Sequence, residues 1–287
     1  MHIDGRLINI TSNLLSFLNS YISAIERTDI EHGYLWADQI CIDQSLVSER
    51  NHQVGMMSRI FATATQVIVW VRDELQDDLA ALSNEALWRQ WHEWYKDPAR
   101  PRFINEWGLL NKSDMPMKSG KRFLEARYWI RLWVQQELLL ARSLIFAAGN
   151  VWRTQREISN LRHFELSRHQ ALRNIFFNQH DFGGVVIEDL ALALPYSIHK
   201  QCADPRDHVY GILGILPGKY RACITVNYDL TVREVFRMAN LQALEESGIR
   251  VRRRWKYDLE ALGKAMGLSS EELLQEYKEL IEMEEDA

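Results

Sequence analysis

The stretch "QVIVWVRD" (residues 66–73) is a nearly continuous apolar run that ends in charged side chains. Such a run is typical of a strand covered on both faces of a parallel sheet. Helical spacing precedes it, at Val54, Met57, Ile60, Phe61 and Ala64. Further upstream, "YLWADQICID" (residues 34–43) begins apolar and ends acidic, so it predicts a second buried strand. The order of strand, helix and strand predicts a parallel sheet with crossover helices.

The remaining sequence extends this α/β pattern. "RLINITSN" (residues 6–13) predicts a short strand leading into a helix over 13–26, and "SLIFAAGN" (143–150) predicts another strand. Residues 73–120 predict an insertion, part helix and part proline- and glycine-containing loop. We therefore expect an α/β core over residues 1–150 and a mostly helical part over 151–287.

Helix-start signals mark the second part of the chain. Pro205 follows Asp204 in the manner of a first-turn proline. "TVRE" (residues 231–234) and "SSEE" (269–272) fit capping boxes. These signals predict helices that begin near residues 205, 231 and 269, with the second ending before Gly248.

Composition and charge exclude several classes of function. The 287 residues carry a net charge of -5, which gives no overall basic field for nucleic acid, and no run of 18 apolar residues predicts a membrane span. The amino-terminal residues lack a signal-peptide pattern. Three scattered cysteines and nine histidines show no metal-ligand spacing, and no serine lies in a nucleophile elbow. We expect a cytoplasmic protein without a metal or another cofactor, and without hydrolase-triad chemistry.

The stretch "RLWVQQELLLAR" (residues 131–142) places a carboxylate beside an aromatic ring. On a helix, Trp133, Glu137 and Leu140 lie on one stripe. Glu137 is therefore a candidate reaction group held against an apolar wall. An equally simple interpretation is a surface glutamate paired with an arginine such as Arg142.

Several blocks of sequence, taken in order, resemble the fungal heterokaryon incompatibility (HET) domain. They are "LWADQICIDQ", Glu49–Arg50, "VGMMSRIFATA", "VIVWV", "RYWIRLWVQQELLLAR", "DPRDHVYGILGI" and "VNYDLTVREVF", spread over about three quarters of the chain. More distantly, the chain is similar to Toll/interleukin-receptor (TIR) domains. Plant members of that family have a tryptophan four residues before a catalytic glutamate and a leucine after it, as Trp133, Glu137 and Leu138 are placed here.

The resemblance implies a TIR-like, flavodoxin-like parallel sheet flanked by helices, and a role in programmed cell death after fusion of genetically unlike fungal cells. It also implies cleavage of NAD, as a substrate, at the nicotinamide glycosidic bond, with Glu137 as the catalytic residue. The family pattern usually opens with a strand similar to "ALSYVWG", and nothing like it stands before Leu7. We therefore expect this chain to lack the first strand of the family.

Cleavage of a nicotinamide–ribose bond has simple chemical requirements. The leaving group departs neutral, so one carboxylate that stabilises an oxocarbenium-like state suffices. The flat ring requires an aromatic wall, and the diphosphate requires cations. Candidate substrate-binding residues are Trp36, Trp133, Arg50, Arg131 and the acidic residues Asp38 and Asp43.

Alternatives remain open for these residues and for the function. Asp43 is equally consistent with a loop acid that caps the next helix. Asp204, Arg206 and Asp207 are consistent with a ligand site or with a local ion-pair network that fixes a helix start. The protein is expected to be either an NAD-consuming death effector or a non-catalytic adaptor. The adaptor would act by self-association and by recruiting other incompatibility proteins, and a further alternative is an inactive, truncated remnant.

Overall fold

The computed structural model describes residues 2–3, 5–27, 30, 33–84, 121–158, 190–247 and 252–285. The strands are β1 His2–Ile3, β2 Arg6–Leu7, β3 Val67–Trp70, β4 Leu144–Ala148 and β5 Val151–Thr154. The first helices are α1 Ser12–Glu26, α2 Asp38–Cys41, α3 Val47–Thr63, α4 Gln76–Leu82, α5 Lys121–Leu124 and α6 Val134–Leu140. The later helices are α7 Leu190–Ile198, α8 Asp207–Leu213, α9 Gly218–Cys223, α10 Val232–Ser247, α11 Arg252–Ala265 and α12 Ser270–Glu285. Short 3-10 turns cover Asp73–Leu75 and Arg127–Ile130.

The chain forms two compact units that alternate along the sequence. One, the sheet unit, comprises Met1–Ile40, Thr65–Trp129 and Arg142–Gly183. The other, the helical unit, comprises Cys41–Ala64, Ile130–Ala141 and Gly184–Ala287.

The sheet unit contains a mixed three-stranded sheet of order β3-β4-β5. β3 and β4 are parallel, with Val67 opposite Leu144, whereas β4 and β5 are antiparallel and are joined by the two residues Gly149 and Asn150. Gly149 has φ +52°, the left-handed conformation that such tight turns require. The mixed α/β composition, the strands at 67–70 and 144–148 and their parallel pairing confirm the prediction at this level, while a TIR-like arrangement stays a prediction.

Helix α1 covers this sheet with aromatic packing. Thr11 caps the helix by accepting a hydrogen bond from the Leu14 backbone N–H, which explains why the helix begins at Ser12. The Phe17 ring lies 5.6 Å from that of Trp70 and 6.5 Å from that of Trp152. Both indoles donate hydrogen bonds to α1 side chains, so the aromatic core of this unit has its polar atoms satisfied.

The buried strand predicted from residues 34–43 is absent from the structure, so this prediction is wrong. Residues 34–37 are irregular, and α2 begins at Asp38. Leu35, Ala37 and Ile40 are instead partly buried against the core that α1 and the sheet form. The apolar residues of this segment are therefore partly buried although the segment is not paired as a strand. In so short a run, periodicity does not distinguish a buried irregular segment from a buried strand.

The helical unit buries α8 along its whole length. Every residue from Asp207 to Leu213 is buried. Gly211 allows close approach, since an added Cβ would lie 2.9 Å from the Leu132 side chain. The surrounding core consists of α7, α10, α11, α12 and Leu132, with fully buried members that include Tyr210, Tyr220, Val235, Phe236 and Leu262.

Sequence signals locate the helix starts in this unit well. Thr231 and Glu234 exchange the two hydrogen bonds of a capping box, and so do Ser269 and Glu272. α10 ends at Ser247, before Gly248 as expected. These predictions are confirmed because capping depends on residues within one turn of each other.

Candidate functional site

Two residues from separate segments of the helical unit, Trp133 and Tyr228, contact the buried carboxylate of Asp207. The Trp133 indole N–H donates to Asp207 Oδ2 over 3.0 Å, and the Tyr228 hydroxyl donates to Oδ1. Burial raises the pKa of Asp207, although these two hydrogen bonds oppose the shift. Burial and the nearby carboxylate likewise raise the pKa of Tyr228, so its hydroxyl stays protonated and donates.

Arginines surround this cluster. Arg206 forms a two-point pair with Asp204, with Nε and Nη2 at 2.8 and 2.7 Å from the carboxylate oxygens. Its Nη1 donates to the carbonyls of Tyr228 and Leu230. The Arg50 guanidinium lies 3.9 Å from the centre of the Tyr228 ring, and its buried Nε has no hydrogen-bond partner among the described residues. Burial opposes ionisation of Asp204, yet its hydrogen bonds with Arg206 hold the pKa below the ordinary value.

This cluster, which we call the Asp207 network, brings together five of the predicted site residues: Arg50, Trp133, Asp204, Arg206 and Asp207. Their side chains engage one another or neighbouring carbonyls. Asp204 and Arg206 form an ion pair, as in one of the two interpretations of these residues, whereas Asp207 accepts hydrogen bonds from the uncharged donors of Trp133 and Tyr228. The Asp207 network fixes the start of α8 and the entry to α6.

The remaining predicted residues of the helical unit have different surroundings. Glu137 is half-buried on α6, as are Trp133 and Leu140 on the same stripe. Arg131 is exposed, and its backbone forms an isolated bridge with Gln201. The exposed carboxylate of Asp43 accepts hydrogen bonds from the backbone and hydroxyl of Ser45, which lower its pKa. Asp43 thus stabilises the turn before α3, consistent with the loop interpretation.

Trp36 and Asp38 belong to the sheet unit. Trp36 is half-buried in the irregular segment before α2. Asp38 is exposed in the first turn of α2, where its Oδ1 accepts from the Gln39 backbone N–H over 2.8 Å.

Sequence reasoning missed three polar groups near Trp133. Tyr228 lies in a turn, where no helical periodicity marks it. Gln136 is only 2% exposed and donates through Nε2 to the Gly211 carbonyl over 2.9 Å, while its Oε1 and Gln135 Nε2 have no partner among the described residues. Gln136 lies on one helical stripe with Leu132 and Leu139. A glutamine within an apolar stripe was the sequence signal that could have indicated a buried polar group here.

Cys202 lies near the network as a half-buried thiol. Burial and the charges of Asp207 and Asp204 raise its pKa to about 11. Because the thiolate is the reactive form, Cys202 is a poor nucleophile at neutral pH.

A cavity of about 300 Å³ opens in the helical unit beside the Asp207 network. Its walls come from α3, α6, α8 and α9 and from the residues that follow α9. Among the described residues that line it there is no aspartate or glutamate. Groups of three or more side chains suited to hold a metal ion do not occur in the described part of the chain. Likewise, none of the described helices combines the length and apolar character needed to cross a bilayer.

Comparisons with known proteins agree with the sequence blocks. Residues 1–137 match the family model described as Heterokaryon incompatibility protein (HET). The chain is 26% identical over 292 residues to Heterokaryon incompatibility protein 6, OR allele, of Neurospora crassa, an alignment that covers 81% of this chain and 42% of that protein. The chain therefore spans less than half the length of this relative. No solved structure matches the chain. By these matches the chain is similar to heterokaryon incompatibility (HET) proteins, with the family match in residues 1–137.

Proposed function

We propose that this HET domain protein takes part in heterokaryon incompatibility as a signalling module that needs no substrate turnover of its own. The family match and the Neurospora relative support the biological role. The association expected from the family resemblance, with another copy or with other incompatibility proteins, is the means by which such a module would trigger cell death.

One observation carries the non-catalytic part of the proposal. In the unit that holds Glu137, Trp133 and Arg50, two of the residues expected to bind substrate, contact other protein groups. Arg206, of the possible ligand site, pairs with Asp204. Trp133 donates to a buried carboxylate and packs against the helical core, so stacking on a nicotinamide ring would require its release. Such a release would leave Asp207 with one donor fewer in a buried site, which is costly.

Expression in a filamentous fungus tests the biological role. We expect induced expression of the chain to arrest growth and kill cells. The matched variant Asp207→Ala, which leaves the donors of Trp133 and Tyr228 without their acceptor, should be unfolded and harmless. Full viability of cells that accumulate the folded wild-type protein would contradict the proposed role.

NAD cleavage is the second candidate, and the position of Glu137 favours it. Glu137 is half-buried, four residues after Trp133 and directly before the fully buried Leu138. The test is nicotinamide release from NAD by the purified chain, by Glu137→Gln and by the control Glu245→Gln, an exposed glutamate of α10. Release that only Glu137→Gln abolishes would support cleavage, whereas no release from the wild-type protein would contradict it.

A further inference from the structure

The cavity of the helical unit has the size of a small-molecule site. Its volume of about 300 Å³ stands at the lower end of the range for ligand pockets. Val54 of α3, Leu213 of α8 and Val226 supply apolar surface, while Ser58 and Gln136 supply polar groups. Apolar walls with a few polar groups are the usual composition of a binding site.

The guanidinium of Arg221 and the imidazole of His52 line the cavity. Arg221 donates through Nη1 to the carbonyls of Leu213, Gly214 and Leu216, at 3.3, 3.3 and 3.0 Å. The hydrogen bonds that Arg221 forms with described residues all use Nη1, so the edge formed by Nε and Nη2 is the part of the guanidinium that we assign to a ligand. His52 of α3 is exposed at the same cavity. A guanidinium edge binds carboxylate and phosphate oxygens in two-point fashion.

A glycine inside α3, Gly55, lines the cavity. Glycine costs about 1 kcal/mol relative to alanine in a helix interior. At two glycines near the cavity, close packing leaves no room for a side chain, which is a packing reason for glycine. An added Cβ would lie 2.9 Å from Leu132 at Gly211 and 2.2 Å from Gln136 at Gly214. Gly55 has no such reason, since an added Cβ there meets nothing within 4 Å. Gly55 is exposed and is itself one of the residues that line the cavity.

We propose that this cavity binds a small organic oxyanion, a phosphate or carboxylate joined to an apolar or planar group. The anionic group pairs with the Nε and Nη2 edge of Arg221 and with His52. The apolar part lies against Val54 and Leu213. This binding goes beyond the proposed signalling role and does not depend on it.

Isothermal titration calorimetry on the full chain tests the proposal. The probes are AMP as an organic phosphate, benzoate as an organic carboxylate and adenosine as a neutral molecule. Gly55→Leu fills the cavity, and Gly55→Ala is its matched control because a methyl group occupies little of the space. His52→Gln removes a cavity imidazole, and His199→Gln removes an exposed imidazole of the same unit that does not line the cavity.

We expect AMP, benzoate or both to bind at up to millimolar concentration, and adenosine to bind at least about tenfold more weakly. Binding of AMP would identify an organic phosphate as the ligand class, and binding of benzoate would identify an organic carboxylate. Gly55→Leu should weaken binding by at least about tenfold, and His52→Gln by up to roughly fivefold, while Gly55→Ala and His199→Gln retain it. Three results would each overturn the proposal: no binding of either anion, equal binding of adenosine, or unchanged binding by folded Gly55→Leu.

Discussion

Asp207 is the residue whose ionisation the fold opposes. Burial raises its pKa above the ordinary value of 3.8, while hydrogen bonds from Tyr228 and Trp133 and the charge of Arg50 act in the other direction. A raised pKa means that the folded protein binds the proton more tightly than the unfolded chain does. The stability associated with this group is therefore fully present below pH 3.8 and is lost as the pH rises through the raised pKa.

Asp207→Asn isolates this effect. The free energy of unfolding of the wild-type protein, minus that of Asp207→Asn, should fall as the pH rises from below 4 towards neutrality, because the variant cannot ionise at this position. Urea unfolding at a series of pH values measures the difference. A difference that stays constant or grows with pH would show that the native state does not favour the protonated form.

The Tyr228 hydroxyl should contribute measurably to stability. Tyr228→Phe removes only this donor and keeps the ring under Arg50, so Asp207 loses one of two hydrogen bonds in a buried site. We expect a loss of about 1–3 kcal/mol in the free energy of unfolding. Tyr196→Phe, the same change at an exposed side chain, is the control and should alter stability by less than about 0.5 kcal/mol. Equal effects of the two variants would count against the network as a stabilising element.

At individual residues, sequence predicted part of the Asp207 network. The order of charges in "DPRD" indicated an ion-pair network at a helix start, and the Arg206–Asp204 pair is of this kind. The contacts of Asp207 with Trp133 and Tyr228 join residues that are 74 and 21 positions apart. No local pattern encodes such contacts, because they depend on the packing of separate helices.

Gly55 inside α3 and Gly214, directly after α8, have different surroundings, and substitution of each glycine tests this difference. Gly55→Ala should stabilise the protein by up to about 1 kcal/mol, because the methyl group meets open space and alanine favours the helix. Gly214→Ala should destabilise it, because the Cβ would lie 2.2 Å from Gln136 Oε1, which is buried. Thermal unfolding of both variants checks these signs. A gain at both positions would contradict the described packing at Gly214.

The capping boxes of α10 and α12 should each contribute to helix stability. Thr231→Ala and Ser269→Ala each remove a hydroxyl that accepts a backbone N–H, and we expect each to cost about 1 kcal/mol. The Ser45→Ala change, at a hydroxyl that donates to Asp43 outside any helix, is the comparison and should cost less. Chemical denaturation gives all three values. A loss at Ser45 larger than at both caps would contradict the assignment.

At the scale of elements, sequence succeeded where the signal is local. Capping boxes and apolar strands such as β3 and β4 are specified within a few neighbouring residues. The segment 34–37 was wrongly predicted as a strand, because an apolar run indicates burial but does not show whether another strand pairs with it. Strand β5 and its antiparallel pairing with β4 were not predicted, although Gly149 and Asn150 form a two-residue hairpin signal between the strands.

At the scale of the whole molecule, stretches that are neighbours in sequence belong to different units. α6 belongs to the helical unit, and β4, which begins four residues after α6 ends, belongs to the sheet unit. The sequence instead predicted two consecutive parts, divided at residue 150. Periodicity favoured this division because it reports only local order. Assignment of a segment to a unit depends on long-range contacts that a single sequence does not display.

The proposal that this protein signals without substrate turnover depends on Glu137 being dispensable. The most direct measurement compares fungal cell death after induced expression of the wild-type chain, Glu137→Gln and the control Glu245→Gln, at equal protein levels and with equal urea unfolding midpoints. We expect the same fraction of dead cells for all three proteins. Loss of killing by folded Glu137→Gln alone would contradict the proposal and would make Glu137 a reaction group.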